Sequence, residues 1–232
     1  WIKSEPKTIV EGILLPKVDT NVTEIFNVDP LLTSSNTDTL REIRKKVSSL
    51  VFSSLFKESI GSTVVPEVVE TYTFTESKDL NILLRNDVYW TDGKQLTTED
   101  VDFTLKLLSS IGQSSAYYGA ANGGDIQIQI VDSLNIRISL AAAEGARPNS
   151  AYLNELVFPI LPKHVLENYS KPKLTFLPQT EFGTNPIGTG ILNFKRNTGL
   201  ELNLVRNDNY FRGKVNFDNY VFRFYKNYED LI

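Results

Sequence analysis

Val88-Tyr89-Trp90-Thr91-Asp92-Gly93-Lys94-Gln95-Leu96-Thr97-Thr98-Glu99-Asp100-Val101 sets a turn, a core anchor and a helix start side by side. Asp92-Gly93 has the composition of a β-turn, in which glycine supplies a backbone conformation that other residues avoid. Trp90 stands immediately before it and reads as a core anchor, because its indole carries a large apolar surface. Thr97 starts a capped helix, with Asp100 at the position from which a carboxylate reaches back to the cap N–H. Val101, Leu105 and Leu108 continue along one stripe, and the helix is predicted to stop at Gly112.

Upstream, Thr8 to Leu15 is a β-branched and apolar run that reads as a buried strand. A polar segment follows through Asp19, Asn21 and Asn27. Leu40, Ile43, Val47, Leu50 and Val51 then recur at helical spacing, and Thr39 with Glu42 has the spacing of a capping box. Arg41, Arg44, Lys45 and Lys46 fall mostly on the opposite face and read as its solvated side. Tyr72 to Phe74 and Leu80 to Leu84 alternate apolar and polar residues, as strands with one wet face do.

Downstream, Gly112 to Asp125 is a loop rich in Gly, Ser and Ala that carries Tyr117 and Tyr118. Aromatics in such a loop form either a contact surface or a lid over the core. Ile126, Ile128 and Ile130, then Leu134, Ile136 and Ile138, predict a hairpin turning at Asp132-Ser133. Ala141 to Ser150 reads as a small-residue linker, and Pro162 opens a short helix to about Tyr169. Leu192 to Lys195 and Leu200 to Val205 pair around Asn197-Thr198-Gly199, and Tyr220, Phe222 and Phe224 form a last alternating strand. The class is mixed α and β, with more strand than helix and no internal repeat.

Composition narrows the function. The 232 residues are 41% hydrophobic and 22% charged, with 24 basic against 28 acidic side chains and a formal net charge of −4. A mildly acidic chain offers no positive field for a phosphate backbone, so neither nucleic acid nor a membrane surface is expected as a partner. With Cys 0 and His 1 there is no disulfide, no thiolate nucleophile and no multi-histidine metal site. No cofactor and no metal are expected. The absence of cysteine fits an extracytoplasmic protein. The chain starts at Trp1 without any Met, which predicts a removed upstream segment, and its end at Ile232 predicts a cut within a longer protein.

Candidate chemistry is sparse. His164 stands beside Lys163 with no Ser or Asp partner at useful spacing, and reads as a surface or helix-start histidine. Gly188-Thr189-Gly190 lacks the remaining glycine of a dinucleotide fingerprint and the ending of a phosphate loop, so it reads as a tight turn before a strand. Asp100 and Asp102 stand two apart on a helix and do not face each other, which argues against an acid/base pair. No enzyme is expected.

Taken together, these blocks resemble the family 5 extracellular solute-binding proteins, the peptide, dipeptide and nickel receptors of ABC importers. The stretch from Val88 to Val101 is similar to the family's V-x-W-x-D-G-x-x-x-T-x-x-D-V block. Val51-Phe52-Ser53-Ser54-Leu55-Phe56, Val65-Pro66 and Ile160-Leu161-Pro162-Lys163-His164-Val165 add to the likeness. So do Asn185-Pro186-Ile187-Gly188-Thr189-Gly190 and Arg206-Asn207-Asp208-Asn209-Tyr210-Phe211. Two departures stand out: Ile191-Leu192 replaces the usual Pro-Tyr, and the helix near Arg41 to Lys46 is longer than typical.

The resemblance implies an α/β (mixed α+β) fold: a periplasmic-binding-protein-like type II lobe with an accessory β-rich domain, the second large lobe being absent from this chain. Residues 1–30 and 152–232 would form the first lobe, and residues 31–151 the accessory domain. It further implies a monomer that captures oligopeptides by hinge closure of two lobes and delivers them to an ABC transporter permease. An oligosaccharide, a nickel chelate, or a fold that has lost its ligand are the alternatives. The implied location is extracytoplasmic, periplasmic or at the cell surface as a lipoprotein. Matched block to block, Thr33, Ser34, Ser35 and Asn36 would line the cleft, with Tyr117 and then Tyr118 as aromatic contacts. Trp90, Asp92, Gly188 and Gly190 are read as scaffold.

Overall fold

In a computed structural model, residues 5–15, 27–32, 38–59, 61, 63–76, 79–111, 127–139 and 153–230 are described. The predicted linker at residues 141–150 and the loop at residues 112–125 lie outside them. Alternating residues build a first sheet from four strands: β1 (Thr8–Leu14), and, late in the chain, β8 (Leu192–Asn197), β9 (Glu201–Arg206) and β10 (Asn219–Tyr225). Their order is β1-β10-β9-β8, with β1 parallel to β10 and the other pairs antiparallel. Leu202, Leu204, Phe222 and Phe224 fill one face. The β8–β9 turn closes where predicted, with Gly199 at φ 80° and its N–H donated to Asn197 Oδ1 at 2.9 Å.

β1 corrects an expectation. It is an edge strand rather than a buried one, and Ile9, Val10 and Leu14 are 41%, 49% and 40% exposed. An apolar run marks a strand well but does not tell an inner strand from an edge, since both suit β-branched residues.

The first helix, α1 (Asp38–Val51), lies against this sheet. Its apolar stripe buries Leu40, Val47 and Val51. Thr39 of the proposed capping box lies outside the residues whose side chains are described. Arg44 departs from the solvated face assigned to it: it is buried and pairs with Asp29 across 3.9 Å.

Two further sheets come from the middle of the chain. β2 (Phe56–Ser59) and β3 (Thr63–Pro66) form a hairpin. β4 (Val69–Phe74), β5 (Asp79–Leu84), β6 (Gln127–Ile130) and β7 (Asn135–Ser139) form an antiparallel sheet in the order β4-β5-β7-β6. The alternation read from sequence holds here, with Leu80, Ile82, Leu84, Ile136 and Ile138 buried on one face. Asp132 closes the β6–β7 turn by accepting the Leu134 and Asn135 N–H groups, each at 2.8 Å.

The second long helix, α2 (Thr98–Ile111), starts as the sequence predicts. Asp100 Oδ2 accepts the Thr97 N–H at 2.9 Å, while Oδ1 accepts the N–H of Lys163 at 2.9 Å. The same carboxylate thus caps α2 and docks α3 (Lys163–Leu166), the short helix opened by Pro162. Two more short helices, α4 (Lys171–Thr175) and α5 (Glu181–Thr184), carry the chain back to β8. Trp90 is 2% exposed, and the turn beside it closes with the Gly93 N–H on the Trp90 carbonyl at 2.9 Å and Gly93 at φ 86°.

Candidate functional site

Strand direction gives the first sheet two unlike ends. Because β1, β8 and β10 all run the same way, their carboxyl ends gather at Leu14, Asn197 and Tyr225. In open sheets of this kind, ligands bind in the crevice outside the carboxyl ends of the strands.

α1 runs back along the sheet away from that end. Its final carbonyl, on Val51, accepts the Gly190 N–H at 2.8 Å just ahead of β8. Lys46, five residues earlier, bonds both Glu11 oxygens at 2.7 and 2.6 Å and lies 5.8 Å over the Phe222 ring. Glu11 and Phe222 are register partners, and that level continues through Leu202 to Asn197 at the end of β8. The amino end of α1 therefore points toward the carboxyl ends of the strands.

The segment leading into α1 is tied down at the same end. Asn27 Nδ2 donates to the Pro178 carbonyl at 2.6 Å, Asn197 Nδ2 to Asn27 Oδ1 at 3.4 Å, and the Val28 N–H to the Gly183 carbonyl at 2.9 Å. Val28 to Leu32 are buried, and the Leu32 N–H closes a turn on the Asp29 carbonyl at 3.2 Å. Arg44 reaches this turn from α1. Burial pulls its guanidinium below the ordinary value, and the Asp29 carboxylate opposes that shift.

Thr33, Ser34, Ser35 and Asn36 begin one residue past this turn and lie outside the described residues, as do Tyr117 and Tyr118. The structure therefore describes the frame on either side of the first group: the turn ending at Leu32 and the helix starting at Asp38. Asp29 and Arg44 were missed in the sequence. The signal available was a basic residue within the 3.6-residue repeat that buries Leu40 and Val47.

The scaffold residues meet as two packed blocks. His164 has a partner after all: its Nε2 lies 2.8 Å from Asp92 Oδ2, with the Trp90 ring centroid 6.2 Å away. Seventy-two residues separate the pair, so no local pattern could have shown it. Burial pushes the Asp92 carboxyl up, but the Lys94 N–H and His164 outweigh it and hold the group below its usual range. The Gly188-Thr189-Gly190 stretch is not a tight turn. It runs flat against the end of α1, where a Cβ on Gly188 would stand 2.0 Å from the Val51 carbonyl oxygen and one on Gly190 2.3 Å from that of Leu50. Thr189, 1% exposed, accepts the Ser53 N–H at 3.2 Å on its hydroxyl. Asp102 pairs with Lys106 at 2.7 Å, so the two aspartates of α2 do separate jobs, as expected.

A concavity of about 360 Å³ opens on the β4–β5–β7 sheet, lined among others by Thr71, Thr73, Asn81, Asp132 and Asn135. It touches none of the elements at the carboxyl end of the first sheet. Among the described residues no three His, Asp or Glu side chains converge as a metal site requires, and no helix is long and apolar enough to cross a membrane.

Comparison with known proteins agrees with this architecture. The family model "Bacterial extracellular solute-binding proteins, family 5 Middle" matches residues 63–231. The oligopeptide-binding protein AppA of Bacillus subtilis (strain 168) is 26% identical over 197 residues, covering 75% of this chain and 34% of its own length. Among solved structures, the substrate-binding protein CtaP of Listeria monocytogenes superposes with a TM-score of 0.73 at 21% identity, covering 98% of this chain and 42% of its own. B. subtilis AppA in complex with a nonapeptide gives 0.72 at 21%, covering 95% and 41%. NikZ of Campylobacter jejuni with Ni(L-His) gives 0.72 at 23%, covering 94% and 39%. The chain thus spans about a third of the curated relative's length and about two fifths of each structure's, and carries part of a type II binding-protein fold. With the family model covering most of its length, the chain belongs to the bacterial extracellular solute-binding proteins, family 5.

Proposed function

We propose that this chain is part of an extracytoplasmic receptor that captures oligopeptides between two lobes and passes them to the permease of an ABC transporter. The observation that carries the reading is the match to an oligopeptide-binding relative across three quarters of the chain. The fold supports it from below. The carboxyl ends of β1, β8 and β10 and the amino end of α1 form one wall, where the rule for open sheets places a ligand.

In this reading residues 1–30 and 152–232 make the first lobe and residues 31–151 the accessory domain. Thr33, Ser34, Ser35 and Asn36 face the solute. Short hydroxyl and amide side chains suit a ligand held by its main chain, because they donate and accept hydrogen bonds without selecting one side chain. Tyr117 and Tyr118 supply aromatic contact. In this reading the protein works by binding and not by catalysis, as the oligopeptide-binding relative and the solute-binding family model it matches suggest. It acts as a monomer.

Native mass spectrometry of the complete gene product tests this, as purified and after addition of a mixed short-peptide pool. Adducts of peptide mass are expected. A protein that ignores the pool and instead retains a nickel–histidine chelate or an oligosaccharide overturns the peptide assignment, and one that retains nothing overturns solute capture.

A further inference from the structure

We propose that Leu200 and Phe176 are specificity-determining residues of the solute site, taking apolar side chains of a bound peptide on either side of the Asn27–Asn197 amide pair that meets its main chain. The proposal rests on the solute-binding reading above and deepens it by naming the class of peptide, one rich in apolar side chains.

Three observations carry it. The first is the place of Leu200. Its carbonyl accepts the Phe224 N–H at 2.9 Å, which continues the β9–β10 register past Arg223 and Glu201 and sets Leu200 opposite Phe224 at the carboxyl end of β10. Alternation along a strand puts Leu200, Leu202 and Leu204 on one face. Leu202 and Leu204 are 1% and 0% exposed, whereas Leu200 is 61% exposed. The apolar row that builds the core thus runs on past it and ends in an open leucine, at the end of the sheet where ligands are held.

The second is the amide pair. Asn197, at the end of β8, is the register partner of Leu202, and its Nδ2 donates to Asn27 Oδ1 at 3.4 Å. Asn27 Nδ2 donates in turn to the Pro178 carbonyl at 2.6 Å. A primary amide carries two N–H donors and an oxygen with two lone pairs, so both half-buried residues keep hydrogen-bonding capacity beyond these contacts. A peptide main chain, with one donor and one acceptor on each residue, matches that capacity.

The third is Phe176. It stands two residues before Pro178 and flanks the pair from the Asn27 side, as Leu200 does from the Asn197 side. Its backbone is used by the fold, the N–H donated to the Pro172 carbonyl at 3.1 Å and the carbonyl accepting the Gln179 N–H at 3.0 Å, yet the residue is 52% exposed. Leu200 divides its roles in the same way, backbone to the sheet and side chain to water. Neither side chain belongs to the packed core. Apolar side chains of a ligand would take both surfaces out of water, which favours binding in proportion to the area covered.

Competition binding on the complete gene product tests the proposal. Native mass spectrometry reads which peptides are retained from an equimolar mixture of two short-peptide pools, one built of leucine and alanine, the other of serine and alanine. The wild type should retain the leucine pool at least tenfold over the serine pool. Leu200→Ser and Phe176→Ser should each cut that ratio at least threefold, and the double variant should bring it close to one. Melting temperatures of the unliganded proteins should not move, because both side chains already stand in water. A wild type that retains peptides from a protein digest without preferring the leucine pool, or variants that keep the wild-type ratio, overturn the proposal and leave the receptor reading standing. Variants that lose both pools equally assign these side chains to the closing of the lobes, and a wild type that sediments as a dimer dissolved by Leu200→Ser assigns them to a second copy; either result overturns the proposal. A wild type that retains no peptide from the pools or the digest defeats the receptor reading, and the proposal with it.

Discussion

Gly188 and Gly190 matter for the atom they lack. Each faces a backbone carbonyl of α1 at a distance no Cβ tolerates, and backbone cannot swing aside as a side chain can. Gly188→Ala is expected to cost roughly 3 kcal/mol, the upper part of the usual range for overpacking, read as a lower midpoint in urea at unchanged slope. Glu67 is the residue to watch in pH experiments. Its carboxylate accepts the Ser54 N–H at 2.8 Å and faces Tyr210 and Lys57, yet burial pushes it up more strongly than these partners pull it down. The same cluster pushes the Tyr210 hydroxyl up to about 12, burial again being the main cause. A carboxyl raised in the folded state binds protons that the unfolded chain has released, so its contribution is full below the unfolded value of about 4.3 and is lost as pH rises through the folded one. Glu67→Gln keeps an acceptor for Ser54 and removes the titration. Its stability relative to wild type should therefore climb between pH 4 and pH 8, as measured by denaturant melts across that window; a constant difference would show that Glu67 does not titrate there.

Among the elements, α2 shows how one side chain can set both a helix start and a docking contact. Asp100 accepts N–H groups from Thr97 and Lys163, so Asp100→Ala loses a cap and also strands a donor from the chain that docks against it. The two losses together should cost about 3 kcal/mol by denaturant unfolding. Asp100→Asn keeps one acceptor oxygen but turns its NH2 against the second N–H, so it should recover at most half; full recovery would show that only one of the two bonds matters. This cap was legible in the sequence because its partners are three residues apart, and the β6–β7 and β8–β9 hairpins were legible for the same local reason. β1 was not. Its neighbour β10 lies more than two hundred residues away, so nothing near Thr8 to Leu14 tells whether a second strand will cover its other edge. The bond between Asp92 and His164 and the pressing of Gly188 against α1 belong to the same class: sequence blocks mark them, and distance along the chain hides what they touch.

At the scale of the whole molecule, family membership was readable because several separated blocks agree at once, and the matched span from residue 63 to 231 includes most of them. The proposed binding residues were less readable, since a solute site is defined by what faces outward, and outward-facing hydroxyls and amides follow no packing period. On the proposed function the fold narrows the choices: residues that contact solute should lie near the carboxyl ends of β1, β8 and β10, where open α/β sheets place their ligands. Tyr117 and Tyr118 lie in the connection between α2 and β6, and two roles for them make opposite forecasts. If they contact solute, Tyr117→Ala in the complete gene product should weaken peptide binding about tenfold, near 1.4 kcal/mol, while the melting temperature of the unliganded protein stays put. If they instead cover the core, truncation should remove buried aromatic surface and lower stability by about 3 kcal/mol or more, with affinity following only as the folded fraction falls. Calorimetric titration and thermal melts on the same preparation separate the two. A variant that melts with the wild type and binds peptide equally well would take Tyr117 out of both roles, leaving the peptide to the wall beside Leu32.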